Sequence, residues 1–321
     1  MKDIHSILPE SLQTKLTQHG WKGDFFWYGS HLTQNSVEFL PNWLITQYAT
    51  HQIPLELIKA CLDQINAPYP IHIQEDIFLS EFLKQLISMD FIPLKPIWDL
   101  YFQRGLSINF KMSNEMSIFY LACDYFIIHS NQEKKINPLI PYLLSQNPDL
   151  SMKTTSGGVT ALMNLAQEFP FEVPYLLEQG ANAQDMILNH QTQIQANLLS
   201  QILAGIRNNH MHANPQQVES LFQTCIAHGS NPHQLIHGES LLFKAIQNYL
   251  PIVPFLIKQG LDLDSLNQRN MGLIEVLEKR ISLIKGEKTL TQSMIELIIH
   301  QRESLSQKLP QSSQSTLSYR L

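Results

Sequence analysis

Short apolar clusters recur along the chain, and each is followed by one or two polar residues and then by glycine or asparagine. Three of these stretches read VPYLLEQGANAQ, VPFLIKQGLDLD and IPYLLSQNPDLS. Helices commonly end at a residue in the left-handed conformation, which is usually glycine and sometimes asparagine. The pattern therefore predicts a short helix in each stretch, with its stop at Gly180, Gly260 or Asn147.

The same stop recurs at intervals of one supersecondary unit. Gly229 and Gly105 take the equivalent place in CIAHGSNPH and YFQRGLSIN, and Asn66 is a further candidate. Successive stops lie 31 to 49 residues apart. A second helical pattern begins 11 to 13 residues after a stop, in GVTALMNLA, GESLLFKAI and EMSIFYLAC. Repeats of this length are typical of solenoids, in which each unit packs only on its neighbours.

Small residues and prolines fit a repeated helix pair. Ala122, Ala166 and Ala245 are expected where each first helix meets its neighbour, because neither helix of a pair can bury its apolar face alone. Prolines such as Pro251 and Pro254 suit the first turn of a helix, where the N–H groups have no partner. The predicted helix pairs cover 38–66, 77–105, 117–147, 160–180, 194–229, 240–260 and 272–303.

The repeat resembles the ankyrin repeat over residues 36–303. GVTALMNLA resembles the ankyrin motif G-x-T-P-L-H-x-A-A, and YLLEQGANAQ and CIAHGSNPH resemble its ending L-L-x-x-G-A-D/N. The repeats are degenerate, since Ala161 and Met163 stand where the family has proline and histidine. The resemblance implies an all-α, ankyrin-repeat-like solenoid of about six to seven stacked helix pairs. We expect an N-terminal cap in 1–35 and a disordered polar tail in 304–321.

Composition narrows the functional classes. The chain has 321 residues, of which 44% are hydrophobic and 16% charged, with a formal net charge of −6. This is a globular composition without the basic footprint of a nucleic-acid binder. No apolar run reaches the roughly 18 residues of a membrane helix. Three widely spaced cysteines indicate reduced thiols. We therefore expect a soluble, cytoplasmic monomer without a membrane span or a nucleic-acid partner.

A group of histidines is a candidate zinc site. It lacks the C-x-x-C and H-E-x-x-H spacings, and the repeat already accounts for two of its members, so neither a metal nor a cofactor is expected. Its members are His210, His212, Cys225, His228, His233 and His237.

Two further features have more than one interpretation. Cys123 could act as a nucleophile with a distant histidine, but it occupies a small position of the first helix, where a buried residue is expected. The aromatic run Phe25–Tyr28 could bind a partner, and it could instead seal the open end of the solenoid. The polar segment Asn208–Asn214 interrupts the repeat and is predicted to be a loop.

The resemblance implies a non-catalytic protein-binding module that uses its projecting loops and the exposed side of its first helices. Its degenerate repeats and Gln/Asn/Leu/Ile-rich composition also resemble ankyrin-repeat effectors, which intracellular bacteria inject into the cytosol of a host cell. The alternatives are a Cys/His-dependent hydrolase and a regulator of another bacterial protein. The predicted partner contacts in the concave groove are Asp124, Tyr125, Gln167, Glu168, Lys244, Gln247 and Asn248.

Overall fold

The computed structural model of the chain is built of helices that occur in pairs. None of its helices is long and apolar enough, within the described ranges, to cross a membrane. The chain divides into two compact units, Met1–Ser156 and Gly157–Leu321. The structure describes residues 9–20, 40–65, 83–111, 116–129, 138–154, 158–188, 194–208, 213–283 and 288–308.

The first unit packs its helices around a buried aromatic and aliphatic core. Helix α1 contacts α3, α5 contacts both α2 and α3, and α6 contacts α7. Trp98 and Leu94 on α5 are fully buried. The helices described in this unit are α1 (Glu10–Gln18), α2 (Leu40–Ala49), α3 (Leu55–Ile65), α4 (residues 83–88), α5 (Phe91–Gln103), α6 (Ile118–His129) and α7 (Leu139–Ser145).

The second unit continues the pattern through four further helix pairs and one hairpin in its described residues. Its elements are α8 (Ala161–Glu168), α9 (Val173–Glu178), β1 (Met186–Leu188), β2 (Ile194–Asn197), α10 (Leu198–Asn208), α11 (Pro215–Ala227), α12 (Leu241–Asn248), α13 (Val253–Lys258), α14 (Leu273–Leu283) and α15 (Lys288–Lys308).

Two layers of helices form in this second unit. The first helices pack in a row, α8 on α10, α10 on α12 and α12 on α14. Behind them α9 contacts α11, and α13 contacts α15. The small residues Ala166 and Ala245 are fully buried, as predicted for first helices that approach closely. Stacked helix pairs of this kind confirm the all-α, ankyrin-like architecture predicted from the sequence.

Three first helices, α6, α8 and α12, begin at a threonine or serine whose side chain caps them. Thr160 Oγ1 accepts a hydrogen bond from Met163 N at 3.3 Å. Ser240 and Ser117 cap α12 and α6 in the same way, at 3.3 and 3.0 Å. Such caps satisfy N–H groups that have no partner within the helix. The threonine and serine of the repeat therefore set where these three helices begin.

The predicted helix stops are confirmed. Gly180 and Gly260 have φ of +91° and +78°, and Asn147 has φ of +61°. After Gly180 the chain turns back on α9, because Ala181 N donates to Leu176 O at 3.0 Å. Gly229 and Gly105 also have positive φ. Asn66 lies outside the described residues.

The residue two places after each stop forms a tight turn. The side-chain oxygens of Asn182, Asn231 and Asp262 each accept a hydrogen bond from the backbone N–H two residues on, at 3.0, 2.9 and 2.9 Å. Asp149 makes the same contact in the first unit, at 2.9 Å. Asx turns of this kind start the projecting loops in a repeated conformation.

The fifth helix pair differs from the prediction at its start. A helix was expected from residue 194, but Ile194–Asn197 is strand β2, which pairs antiparallel with β1. The helix begins only at Leu198, because Asn197 and Ser200 cap it reciprocally at 3.0 Å. Strand β2 therefore takes the first four residues of the predicted helix, and the helix itself spans Leu198–Asn208.

The predicted ends of the array fall partly outside the described residues. Helix α1 lies within the predicted N-terminal cap, whereas Phe25–Tyr28 is not among the described residues. Helix α15 continues to Lys308, and the remainder of the predicted polar tail lies beyond the described ranges. The division into 1–35, 36–303 and 304–321 stays a prediction.

Candidate partner-binding surface

The C-terminal ends of the first helices lie side by side in the second unit. The carbonyl oxygens of Ala166 and Gln167 on α8 meet Gly205 on α10 so closely that a Cβ there would lie 2.6 and 2.4 Å from them. On the other side of α10, Arg207 Nη1 donates to Asn248 Oδ1 on α12 at 3.2 Å. The structure therefore brings the ends of α8, α10 and α12 together, and we call this surface the helix-end ridge.

Four of the predicted contact residues lie on the helix-end ridge. Gln167 and Glu168 are half-buried at the end of α8, Gln247 is exposed, and Asn248 is half-buried at the end of α12. In the first unit, Asp124 is half-buried on α6, and the side chain of Tyr125 is not among those described. The grouping of predicted contacts is thus found within the second unit.

Lys244 has a structural partner. Its Nζ lies 3.3 Å from a carboxylate oxygen of Glu239, which is 7% exposed. The other oxygen of Glu239 accepts a hydrogen bond from Gln268 N at 3.0 Å. Because a buried carboxylate needs a counter-charge or donors, Lys244 helps to join the turn before α12 to the next loop.

Two arginines on the helix-end ridge did not emerge from the sequence. Arg207 reaches across to Asn248, and Arg280 Nη1 on α14 donates to the carbonyl oxygens of Ile246 and Gln247. The last carbonyls of a helix have no partner within it, and a cation there also interacts favourably with the helix dipole. The sequence does show a basic residue in the last turn of each of these first helices. It gives no indication of the partner, because the partner lies more than thirty residues away along the chain.

Three successive loops of the second unit are bonded edge to edge. His237 N donates to Ile194 O in the hairpin at 2.9 Å, and Gln268 Nε2 donates to His237 O at 2.9 Å. Each of these loops exposes a leucine: Leu188 is 46% exposed, Leu235 54% and Leu266 53%. We call this surface the loop row. Sequence reasoning missed these leucines, because the side chains of loop residues point where the tertiary contacts of the loop direct them.

A cleft lined by uncharged side chains opens between the loop after α9 and the loop after α11. Its volume is about 230 Å³. Ser230 Oγ donates to Ala183 O at 2.8 Å and joins the two loops at this point. The cleft is lined by Ala183, Gln184, Met186, Asn197, Leu198, Gly229, Ser230, Asn231 and Gln234.

The cysteines are poorly suited to nucleophilic chemistry. Cys61, Cys123 and Cys225 are buried. Burial raises the pKa of Cys61 to about 11 and that of Cys225 to about 12. Burial and the nearby Asp124 raise the pKa of the Cys123 thiol to about 12. These thiols are protonated at neutral pH, whereas a nucleophilic cysteine requires a lowered pKa.

The candidate zinc site does not assemble from the described residues. Among them, no three histidine, cysteine or acidic side chains are placed to hold a metal ion. His228 and His233 are exposed, and His228 Nδ1 lies 2.9 Å from Thr224 O on its own helix. His210 and His212 lie outside the described part of the chain.

No protein-family model and no curated protein matches the chain. Many solved structures are similar to it, including the following three. One, with 18% identity and a TM-score of 0.46 over 65% of this chain and 96% of the other, is a complex of a predatory endopeptidase from Bdellovibrio bacteriovorus with an immunity protein. The ankyrin repeat domain of Bcl-3, of the IkappaB family, has 22% identity and a TM-score of 0.42 over 61% and 76%. An ankyrin repeat domain from Acinetobacter baumannii has 16% identity and a TM-score of 0.49 over 68% and 96%.

The fold assignment rests on the geometry of the units themselves. A first helix capped by threonine or serine, a second helix ended by a left-handed glycine, and a loop bonded to the next loop recur along the second unit. Together with the row of first helices, these features make the fold an array of degenerate, ankyrin-like repeats.

Proposed function

We propose that the chain is a non-catalytic protein-binding module whose second unit contacts a partner through the loop row and the helix-end ridge. The observation that carries this proposal is the loop row itself. Single exposed apolar residues are ordinary on protein surfaces. Here three consecutive loops are held together by hydrogen bonds, and each exposes about half of a leucine side chain.

A partner that covers the loop row gains apolar burial at a low entropic cost. Complete burial of one leucine stabilises by about 1.5–3 kcal/mol, so covering three half-exposed leucines contributes a few kcal/mol. Lateral hydrogen bonds already join the described parts of these loops, so less of their conformational freedom is lost on binding. The surface is thus prepared for contact in its unbound form.

The helix-end ridge supplies the polar part of the contact. Gln167, Gln247 and Asn248 carry uncharged amides, and Arg207 already bonds with Asn248. Interfaces commonly combine an apolar centre with a hydrogen-bonding rim. We therefore keep the predicted contact residues of this ridge as part of the proposal, and we extend it to Asp124 and Tyr125 in the first unit.

For the biological role we propose a bacterial effector that binds a host protein in the host cytosol. Its support is the Gln/Asn/Leu/Ile-rich composition and the polar segment 304–321. Regulation of another bacterial protein is the competing role. Affinity capture with the full chain from host lysate and from bacterial lysate separates the two, because the specific partner is expected in the host lysate alone.

Variants test the surface once a captured partner has been identified. Leu188, Leu235 and Leu266 are changed together to serine in one variant, and Tyr125, Glu168 and Gln247 together to alanine in another. Each variant is expected to raise the Kd for the partner at least tenfold, which is a loss of roughly 1.4 kcal/mol of binding free energy. A matched control changes the exposed Gln216, Gln217 and Gln223 on α11 to alanine and is expected to bind normally.

Normal binding by both surface variants would contradict the proposal. If deletion of Asn208–Asn214 or of Phe25–Tyr28 then abolishes binding, the contact lies in the segments that interrupt the repeat. Thermal unfolding of each variant must accompany the binding measurement. Exposed substitutions usually change stability by only about 0.5 kcal/mol, so lost binding with unchanged stability is attributable to the surface.

A further inference from the structure

We infer that the cleft between the loops after α9 and α11 receives one uncharged amide side chain, an asparagine or a glutamine, from a protein partner. The inference rests on the proposed protein-binding function and adds a chemical identity for one contact. It draws on the size of the cleft, the absence of charge in its lining, its fixed floor and a donor that has only a weak acceptor.

The size of the cleft suits a single side chain. Its volume is about 230 Å³. Pockets for drug-sized ligands and cofactors occupy about 300–1,000 Å³, whereas one water molecule takes about 30 Å³ of liquid. The cleft is therefore small for a nucleotide or a drug-sized ligand and large for a single bound water. One amino-acid side chain from a partner is the ligand of intermediate size.

The lining selects an uncharged, hydrogen-bonding group. No lining residue is charged, and four of them carry side-chain amides: Gln184, Asn197, Asn231 and Gln234. A charged ligand would lose its hydration without meeting a counter-charge, which is costly. An aliphatic ligand would offer the Gln234 Nε2 donor no better acceptor than the sulfur of Met186. Another amide both donates and accepts, so it matches a lining that does the same.

The floor of the cleft is held in place before any ligand arrives. Asn197 is 4% exposed, and its Nδ2 donates to Gln234 Oε1 at 3.2 Å while its Oδ1 accepts from Ser200 N at 3.0 Å. Ser230 is 6% exposed and bonds to Ala183 O. Groups positioned in this way need little reorganisation on binding.

One donor at the cleft has only a weak acceptor. Gln234 Nε2 contacts the thioether sulfur of Met186 at 3.8 Å, and sulfur of this type accepts hydrogen bonds poorly. The carbonyl oxygen of a partner amide is a stronger acceptor for the same N–H group. On the opposite side, Gln184 lies over Gly229, where a Cβ would come within 3.2 Å of its Nε2. The absence of that Cβ keeps room for the exposed Gln184 amide beside the cleft.

The inference is tested with the isolated full chain and small probes. Propionamide, propionate and propylammonium are titrated separately into the ¹⁵N-labelled protein, and the side-chain amide resonances of Gln184, Asn197 and Gln234 are followed. Propionamide is expected to shift these resonances saturably in the millimolar range. The two charged probes are expected to leave them unmoved. Propylammonium also examines the nearby buried Asp185, whose Oδ1 accepts from Asn182 Nδ2 at 3.0 Å.

Variants locate the binding in the cleft. Gln234→Leu and, separately, the exposed Gln184→Ala are each expected to weaken propionamide binding at least tenfold. Gln223→Ala on the exposed side of α11 is the matched control and should bind like the unaltered chain. Absence of a saturable shift, equal shifts with all three probes, or undiminished binding by both cleft variants would each overturn the inference.

A partner experiment separates this inference from the proposed function. If the partner binds the Gln234→Leu and Gln184→Ala variants normally but fails to bind the loop-row variant, the proposed protein-binding function is supported and the amide-binding cleft is contradicted. If the cleft variants lose the partner as well as propionamide, the inference is supported. Failure of the loop-row and helix-end variants to affect the partner removes the proposed function but leaves the propionamide result intact.

Discussion

Replacement of Gly205 by alanine tests how the first helices of the second unit pack. A Cβ at this position would lie 2.4 Å from Gln167 O and 2.6 Å from Ala166 O on α8. Real Cβ atoms essentially never come within 3.0 Å of such an atom, so α8 and α10 would have to move apart by more than half an ångström. Both obstructing atoms belong to the backbone, and Ala166 beside them is fully buried. No flexible side chain can yield in their place.

Two opposing effects determine how far Gly205→Ala changes the free energy of unfolding. Alanine favours a helix over glycine by about 1 kcal/mol. Overpacking typically costs about 1–3 kcal/mol and occasionally more, and a gap of about half an ångström forfeits a quarter of the dispersion energy at each affected contact. Because α10 lies between α8 and α12, the displacement is felt at two interfaces. With two interfaces affected, we expect an overpacking cost at the upper end of this range, about 3 kcal/mol, so that after the propensity gain Gly205→Ala destabilises the second unit by about 2 kcal/mol.

The measurement combines urea unfolding with hydrogen exchange. Since the chain has two compact units, a single unfolding midpoint can mix their contributions, whereas exchange rates in α8 and α10 report the local effect. Ala204→Gly, at the half-buried neighbouring position, is the control for propensity alone and should cost about 1 kcal/mol. Unchanged or increased stability of Gly205→Ala would refute the close approach of the two helices.

Further predictions concern the helix stops and the buried thiols. Gly180→Val should lower the free energy of unfolding by about 1–2 kcal/mol, because φ is +91° at this position. No atom lies near the added Cβ, so the cost comes from the backbone conformation alone. An unchanged urea midpoint would contradict the left-handed helix stop. Cys61, Cys123 and Cys225 should react slowly with a thiol reagent at pH 8 until the chain unfolds, whereas rapid labelling of one folded-state thiol would favour the hydrolase alternative. Burial raises the thiol pKa from 9.0 to about 11 for Cys61 and to about 12 for Cys123 and Cys225. The stability that these buried, protonated thiols contribute is therefore complete below pH 9 and is lost as the pH rises toward 12. Urea unfolding across this pH range measures the loss.

The helix boundaries that depend on one residue were predictable. Gly180, Gly229 and Asn147 end helices because few residues tolerate positive φ, and that restriction acts locally. Thr160 and Ser240 begin helices for a similarly local reason, the hydrogen bond to a nearby N–H. Repetition of these signals at intervals of 31 to 49 residues was enough to predict stacked helix pairs.

The hairpin was not predictable from the same signals. Asn197 is a local start signal for the helix, but nothing in Ile194–Ala196 itself indicates a strand, and the segment is a strand because it pairs with Met186–Leu188. The contact of Ile194 O with His237 N also fixes the strand against the next loop. Such pairing overrides the local propensity of a short segment.

The same distinction applies to the candidate surface, because the sequence predicts some of its features and only the tertiary structure shows the others. The sequence determined that each unit has a capped first helix, a second helix with a glycine stop and a projecting loop, since those features follow from the conformational limits of single residues. Only the tertiary structure decided that Arg207 meets Asn248, that Gly205 lies against α8, and that the amides of Asn197 and Gln234 share a cleft. These contacts join residues about 40 positions apart, so they exist only when neighbouring units stack, and no local pattern specifies them.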